Sequence, residues 1–209
     1  VKHFYEGLPY VEAVASSLEN SPLWGYSGEL MFDEGGKSLF STKYDYADED
    51  YAKMMGINIK QGRFPRERRE VSANETWLKT RGWSVDHAIG QTIQTEEGKV
   101  KIVGIIKDFH IGNFFNENQP FLMHYNPTFN GMIHLRLKEP FAENLQRLNK
   151  EAGEAFPGQT INFEGLEQAL ADSYNSVRVF RNATIVATFV ILFITLMGLI
   201  GYTNDETQR

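Results

Sequence analysis

ATIVATFVILFITLMGLIGY, residues 183–202, carries no charged side chain and lies almost at the C-terminus of an otherwise polar chain. A helix rises about 1.5 Å per residue, so such a run spans roughly 30 Å, the hydrocarbon thickness of a bilayer. The competing reading is a buried core helix. Helices of soluble domains usually keep a polar face, however, and this run shows none over about five turns. A secretory signal does not fit, because the run follows a whole folded domain instead of preceding it. The chain therefore reads as a water-soluble module followed by a transmembrane helix at 183–202, with 203–209 beginning the next segment.

Just upstream, Leu166, Ala169, Leu170, Tyr174 and Val177 recur at helical spacing, and no Pro or Gly separates them from the span. One amphipathic stalk helix, Leu166–Arg181, continuous with the transmembrane helix, is expected to reach roughly 55 Å in all. Arg178 and Arg181 precede the span, whereas only Arg209 follows it, beside Asp205 and Glu206. Counted locally, the positive-inside rule places the large domain in the cytoplasm. Large domains cross membranes largely regardless of flanking charge, so the charges alone leave the side open.

Over all 209 residues the mean hydropathy is -0.37 even with the apolar run included, so the rest is ordinary soluble protein with enough apolar residues for a core. The net charge of -6, with no basic cluster longer than Arg66-Glu67-Arg68-Arg69, argues against nucleic-acid binding. The absence of cysteine excludes disulfides, cysteine nucleophiles and thiolate metal sites. The chain begins without an initiator methionine, as expected of a segment excised from a longer protein.

Local signals give an α+β order. Val11–Leu18 reads as a strand or a strand–helix mixture after Pro9. Leu30–Phe32 and Lys37–Tyr46 flank Asp33-Glu34-Gly35-Gly36, a hairpin signal. Asp48 can cap EDYAKMM, with Gly56 as its stop, and Asn74 can cap ETWLKTR before Gly82. Ser72 with Glu75 also fits a capping box, so that start is open by two residues. Strands follow at Gln91–Thr95, Val100–Lys107, Pro120–Tyr125 and Met132–Leu137. Phe141, Leu145, Leu148, Ala152 and Phe156 mark a helix between Pro140 and Pro157-Gly158, and Thr160–Phe163 reads as a short strand.

Asp108-Phe109-His110 invites an acid–base reading, since a strand sends side chains two apart to one face. With His124 and His134 a metal site can be imagined, yet no H-E-x-x-H, G-x-S-x-G or P-loop pattern accompanies it. The plainer reading is that Asp108 and His110 orient the turn leaving the strand. His3 and His87 carry no partner signal, and Trp24, Trp77 and Trp83 fit packing better than a ligand cage. In the span, Thr184, Thr188, Thr195 and Gly198 fall on one side of the helix, where small residues allow close helix packing. Scattered, merely tolerated threonines remain the alternative. No catalytic constellation emerges, so no enzyme and no cofactor are expected.

Four segments then occur in a telling order: DEDYAKMMGINIKQGRF (48–64), NETWLKTRGW (74–83), IGQTI (89–93) and VGIIKDFHIGNFF with QP at 103–120. Together with GLIGYTNDETQR (198–209), they resemble the MacB/FtsX-type ABC transporter permeases. In that family a strand enters an x-G-x-V-K-D-F-H run and a loop leads on to a proline. Gly104, Lys107, Asp108, Phe109, His110 and Pro120 match the pattern, with Ile106 in place of valine.

The resemblance implies an extracytoplasmic domain between the first and second transmembrane helices, on the outer side of a bacterial inner membrane. It implies a porter-like α/β part, 1–66 and 120–182, interrupted by a smaller β-rich insertion at 67–119. The implied partners are a second permease subunit, identical or not, a separate cytoplasmic ATPase, the lipid bilayer and a periplasmic protein. The implied work is mechanical coupling for efflux, lipoprotein handling or regulation of a partner. Two rival functions stay open at the level of sequence: a membrane-tethered sensor domain of a signalling receptor, and a tethered hydrolase using Asp108 and His110.

Overall fold

The computed structural model describes residues 1–18, 26–109, 118–126, 131–173 and 175–207. The chain divides into two units, Val1–Ile161 and Asn162–Arg209. It is an α+β protein.

The first unit runs α1 (Lys2–Glu6), β1 (Val11–Ser17), β2 (Ser27–Phe32), β3 (Ser38–Tyr46), α2 (Glu49–Met54), β4 (Ile59–Gly62) and β5 (Glu70–Asn74). It continues with α3 (Glu75–Arg81), α4 (Val85–Ala88), β6 (Thr92–Thr95), β7 (Gly98–Ile106), β8 (Phe121–His124), β9 (Met132–Leu137) and α5 (Phe141–Ala155). The expected punctuation is realised in atomic detail. In the β2–β3 turn Asp33 Oδ1 accepts the Gly35 and Lys37 amides at 2.9 Å each. Asp48 caps α2 by accepting the Tyr51 amide at 2.7 Å. Asn74, not Ser72, caps α3; Ser72 lies within β5 and donates to the Arg63 carbonyl at 2.9 Å. Gly82 closes α3 at φ 74°, in the left-handed region where glycine pays no Cβ penalty.

Seven strands form one sheet in the order β4-β7-β5-β8-β3-β2-β6, and β6 also pairs with β7. The pairings therefore close a ring, β7-β5-β8-β3-β2-β6-β7, with β4 attached beside the C-terminal half of β7. The seam between β2 and β6 is the lightest, a single bridge of Phe32 to Gln94. Parallel pairings of β3 with β8 and β5 with β7 are long-range and leave no local trace in sequence. A second, two-stranded sheet joins β1 to β9 antiparallel, Ala15 opposite His134.

Side-chain alternation divides the core between the two faces of the larger sheet. Leu122 of β8 packs with Met31, Val71, Trp77, Ile102 and Ile105. Its neighbours Phe121 and Met123 pack on the other side with Ala15, Tyr51, Phe64 and Ile106. All four residues of β8 are buried, which explains why it reads as a continuous apolar run.

The strands within 67–119 pair with strands on both sides of that segment in the chain. β5, β6 and β7 share their sheet with β2, β3 and β4 upstream and β8 downstream. The change of sheet falls between β1 and β2 and again between β8 and β9. Thr160–Phe163 is not a strand: its alternating Thr-Ile-Asn-Phe pattern has β propensity, but among the described residues no strand pairs with it.

The second unit holds α6 (Leu166–Ser173) and α7 (Asn175–Thr207). The expected single helix is thus two described helices with Tyr174 between them, outside the described residues. The segment 175–181 is continuous with the span, and the helix passes Tyr202 to Thr207.

Candidate functional site

Asp108 of the x-G-x-V-K-D-F-H run reaches the N-terminus of α3. Asp108 follows the end of β7; its Oδ1 accepts the Thr76 amide and its Oδ2 the Thr76 hydroxyl, both at 2.8 Å. A carboxylate here satisfies a free helix N–H and faces the positive end of the helix dipole. The Asp108 amide in turn donates to Glu75 Oε2 at 3.3 Å, and Glu75 pairs with Lys60. That pairing, with the Lys60 ammonium as its main cause, holds the Glu75 carboxyl below its usual range.

Asn74, fully buried, is the centre of this junction. Its Oδ1 accepts both the Trp77 amide and the Phe121 amide at 2.9 Å, and its Nδ2 donates to the Gln119 carbonyl at 2.9 Å. One side chain therefore ties α3 to the start of β8. Pro120 contributes its carbonyl to the Lys43 amide at 2.8 Å, setting β8 against β3. The Phe109 ring lies 5.1 Å from Phe121 and 6.2 Å from Tyr26, both edge-on. Lys107 donates its amide to the Asn58 carbonyl at 2.9 Å. Gly104 sits opposite Gly62 where β4 and β7 approach most closely. His110 and Trp24 lie outside the described residues.

The arrangement sets Asp108, Phe109 and Pro120 around the joint of α3 and β8, whereas Gly104 and Lys107 meet β4 and the residue before it. Asp108 is engaged as a helix cap, with both oxygens occupied by Thr76. Asn74→Ala is expected to cost about 3 kcal/mol, since it removes the cap and leaves two amides and a carbonyl without partners. Asn74→Asp restores both acceptor bonds yet turns an oxygen toward the Gln119 carbonyl, so it should recover only part of the loss. Urea denaturation of the two variants checks the order.

The histidines part company. His124 Nε2 is 2.9 Å from Glu29 Oε1, a pair almost wholly buried, whereas His134 Nε2 contacts Ser17 Oγ at 2.8 Å in the other sheet. Burial lowers the His134 pKa, favouring the neutral ring. Among the described residues no three His, Cys, Asp or Glu side chains gather as a metal site. His3 meets Glu6 at 2.8 Å, and the His87 ring stands edge-on to Trp83.

Sequence reasoning missed a second anchor, Glu70 at the start of β5. Its carboxylate takes both Arg63 guanidinium nitrogens and the Arg66 amide at 2.9 Å. The Arg63 bonds, aided by the Arg66 amide, lower the Glu70 pKa from 4.5 to about 2. A depressed carboxylate contributes stability above its unfolded value and loses it as pH falls. The domain should therefore lose about 2 kcal/mol between pH 4.5 and about 2 from this group, and Glu70→Gln should flatten that part of the stability–pH curve.

Along α7 the hydroxyls of Thr184, Thr188 and Thr195 donate to the carbonyls of Phe180, Thr184 and Ile191, at 2.8 to 2.9 Å. Each polar group is thus satisfied within its own helix, as a lipid environment requires. A Cβ at Gly198 would meet nothing within 4 Å. The segment Arg178–Ile200, 23 residues, is long and apolar enough to cross a membrane, and none of it is buried.

No family model matches the sequence, and no curated protein matches it. Solved structures do match. A domain ascribed to a permease of Porphyromonas gingivalis superposes with a TM-score of 0.55 at 17% identity, covering 76% of each chain. The periplasmic region of MacB from Actinobacillus actinomycetemcomitans gives 0.52 at 15%, over 74% of this chain and 72% of that one. The extracellular domain of YknZ, a noncanonic ABC-type transporter from Gram-positive bacteria, gives 0.50 at 10%, over 72% and 81%. At these identities the likeness is one of fold: this chain has the fold of the MacB and YknZ extracytoplasmic domains, with a helix of membrane-spanning length at its C-terminal end.

Proposed function

We propose that the chain is the extracytoplasmic domain and adjoining transmembrane helix of an ABC transporter permease subunit in a bacterial inner membrane. One conjunction carries the reading: a fold shared with extracytoplasmic domains of transporters, joined in sequence to a helix of membrane length with no buried residue in its span. The domain works outside the cytoplasm, while ATP is hydrolysed by a separate cytoplasmic ATPase. Movement driven by that ATPase passes along α7 and α6 and reshapes the domain for efflux, lipoprotein handling or control of a periplasmic partner. The division into a porter-like part, 1–66 and 120–182, and a β-rich insertion, 67–119, belongs to the same reading. A second permease subunit packs against the Thr184, Thr188, Thr195 and Gly198 side of α7, where small side chains leave room for close approach.

The chain has no cysteine, so single cysteines can be placed freely. Spin labels on α6 of the two subunits should change their separation when the assembled transporter binds ATP. Identical distances with and without nucleotide would sink the coupling proposal.

A further inference from the structure

Two arginines stand where the proposed topology leaves them without an obvious task. Arg178 and Arg181 lie one turn apart on α7, so both project from the same side of the helix. Both are exposed, and Arg181 reaches only the neutral Asn182 Oδ1, at 3.2 Å. Among the described residues neither makes an ion pair. Positive charge beside a span ordinarily marks the cytoplasmic side, yet here it marks the side of the large domain, while Asp205 and Glu206 follow the span.

Depth supplies the explanation. If Ala183 marks the edge of the hydrocarbon, Arg181 lies about 3 Å and Arg178 about 7.5 Å outside it. The headgroup layer occupies roughly 5 to 7 Å on each face of a bilayer. By this count Arg181 lies within that layer and Arg178 at its outer edge, and their forked guanidinium donors match phosphate oxygens. Between them, Val179 and Phe180 are 61% and 75% exposed, so apolar surface is offered at the same level as the charges. Phe180 suits the boundary between headgroup and acyl chain.

Resting on the membrane reading above, we infer that Arg178 and Arg181 form a collar that binds the phosphates of phospholipids in the leaflet beside the domain. Anionic headgroups are favoured, because no ammonium group competes for their phosphate. The collar fixes the height of α7 in the bilayer, so a force along the helix tilts or turns it about this level in preference to sliding it. The acidic residues past Tyr202 reinforce the asymmetry, since headgroup phosphates repel them.

The test uses the full chain in nanodiscs of phosphatidylcholine and phosphatidylglycerol, with native mass spectrometry reading the phosphatidylglycerol retained per chain. A basic residue near a membrane surface contributes roughly a fivefold gain in affinity, so Arg178→Gln/Arg181→Gln should weaken retention about thirtyfold. Arg178→Lys/Arg181→Lys should keep most of it. A spin label on Thr203→Cys should sit at a different depth in the glutamine variant. If the double variant fails to insert, the single glutamine variants, each expected to lose about fivefold, carry the same comparison. Wild-type retention in the glutamine variants would overturn the collar. So would displacement of the lipid by inorganic phosphate, which would make the site one for a soluble anion. Labelling of a domain cysteine only from the cytoplasmic side would instead overturn the permease topology and leave the lipid result standing.

Discussion

Gly104→Ala is expected to cost the domain about 4 kcal/mol, a large fraction of a typical domain's stability. Gly104 of β7 faces Gly62 of β4, and the two backbones touch with no side chain between them. A Cβ on Gly104 would stand 2.9 Å from the Arg63 carbonyl carbon and closer still to its oxygen. Real side chains do not approach backbone so nearly, and this backbone cannot yield cheaply. The Arg63 amide donates to Val103 at 3.1 Å, and its carbonyl accepts from Ser72. Gly62 is constrained twice, since it holds φ 80° and its own Cβ would stand 2.9 Å from the Gly104 Cα. Overpacking that must push main chain aside lies at the severe end of such substitutions. Gly153→Ala is the control. Gly153 lies in α5, and a Cβ there would meet nothing within 4 Å, so alanine should raise helix stability by up to about 1 kcal/mol. Thermal and urea unfolding of the two variants should therefore move in opposite directions. Equal stability of Gly104→Ala and the parent would mean that β4 and β7 are not packed as described.

The contrast between those glycines shows what could be read in the sequence and what could not. Gly82 announces itself, because a helix pattern stops there and a left-handed residue is needed. Gly104 sits inside a strand pattern, where glycine signals a close backbone approach without naming the partner. Helix caps were legible for the same reason as Gly82: Asp48 and Asn74 act on amides three residues away. Asn74's larger task was not, since Gln119 and Phe121 lie more than forty residues further on. Similarly, the hairpins β2–β3 and β6–β7 follow from their turns, whereas the parallel pairs β3–β8 and β5–β7 close the ring across intervening helices and strands. That is why the pairing of β5, β6 and β7, within 67–119, with strands on either side of that segment could not be read from the sequence. Asp108 illustrates the chemical side. A carboxylate two residues from a histidine invites a reactive reading beside the plainer one, that it orients the turn leaving the strand; both Asp108 oxygens accept from Thr76.

Ending the chain after Ile161 should leave the domain's unfolding midpoint unchanged while abolishing every response to ATP in the assembled transporter. Both core clusters lie wholly within the first unit, between Ala15 and Met123, and α5 adds Leu148 and Ala152 from the same unit. Among the described residues, no member of either cluster comes from 162–209, so the cut removes no member of the core. The span is a different matter: in water Phe189 and Leu199 would be 67% and 62% exposed. The full chain should accordingly require detergent or lipid, and the shortened one should dissolve as a monomer. Urea unfolding of 1–161, compared with the full chain in detergent, tests the first half. A lower midpoint for 1–161 would show that the terminal helices stabilise the domain and are not merely attached to it. For the second half, conformational probes on the domain should respond to ATP in the full assembly and stay silent once α6 and α7 are gone. Under the proposed coupling the effect is complete, because the movement passes along α7 and α6, which the cut removes. A shortened domain that still responded to ATP would have to receive the signal by another route. The apolar run at 183–202 would then be an anchor alone.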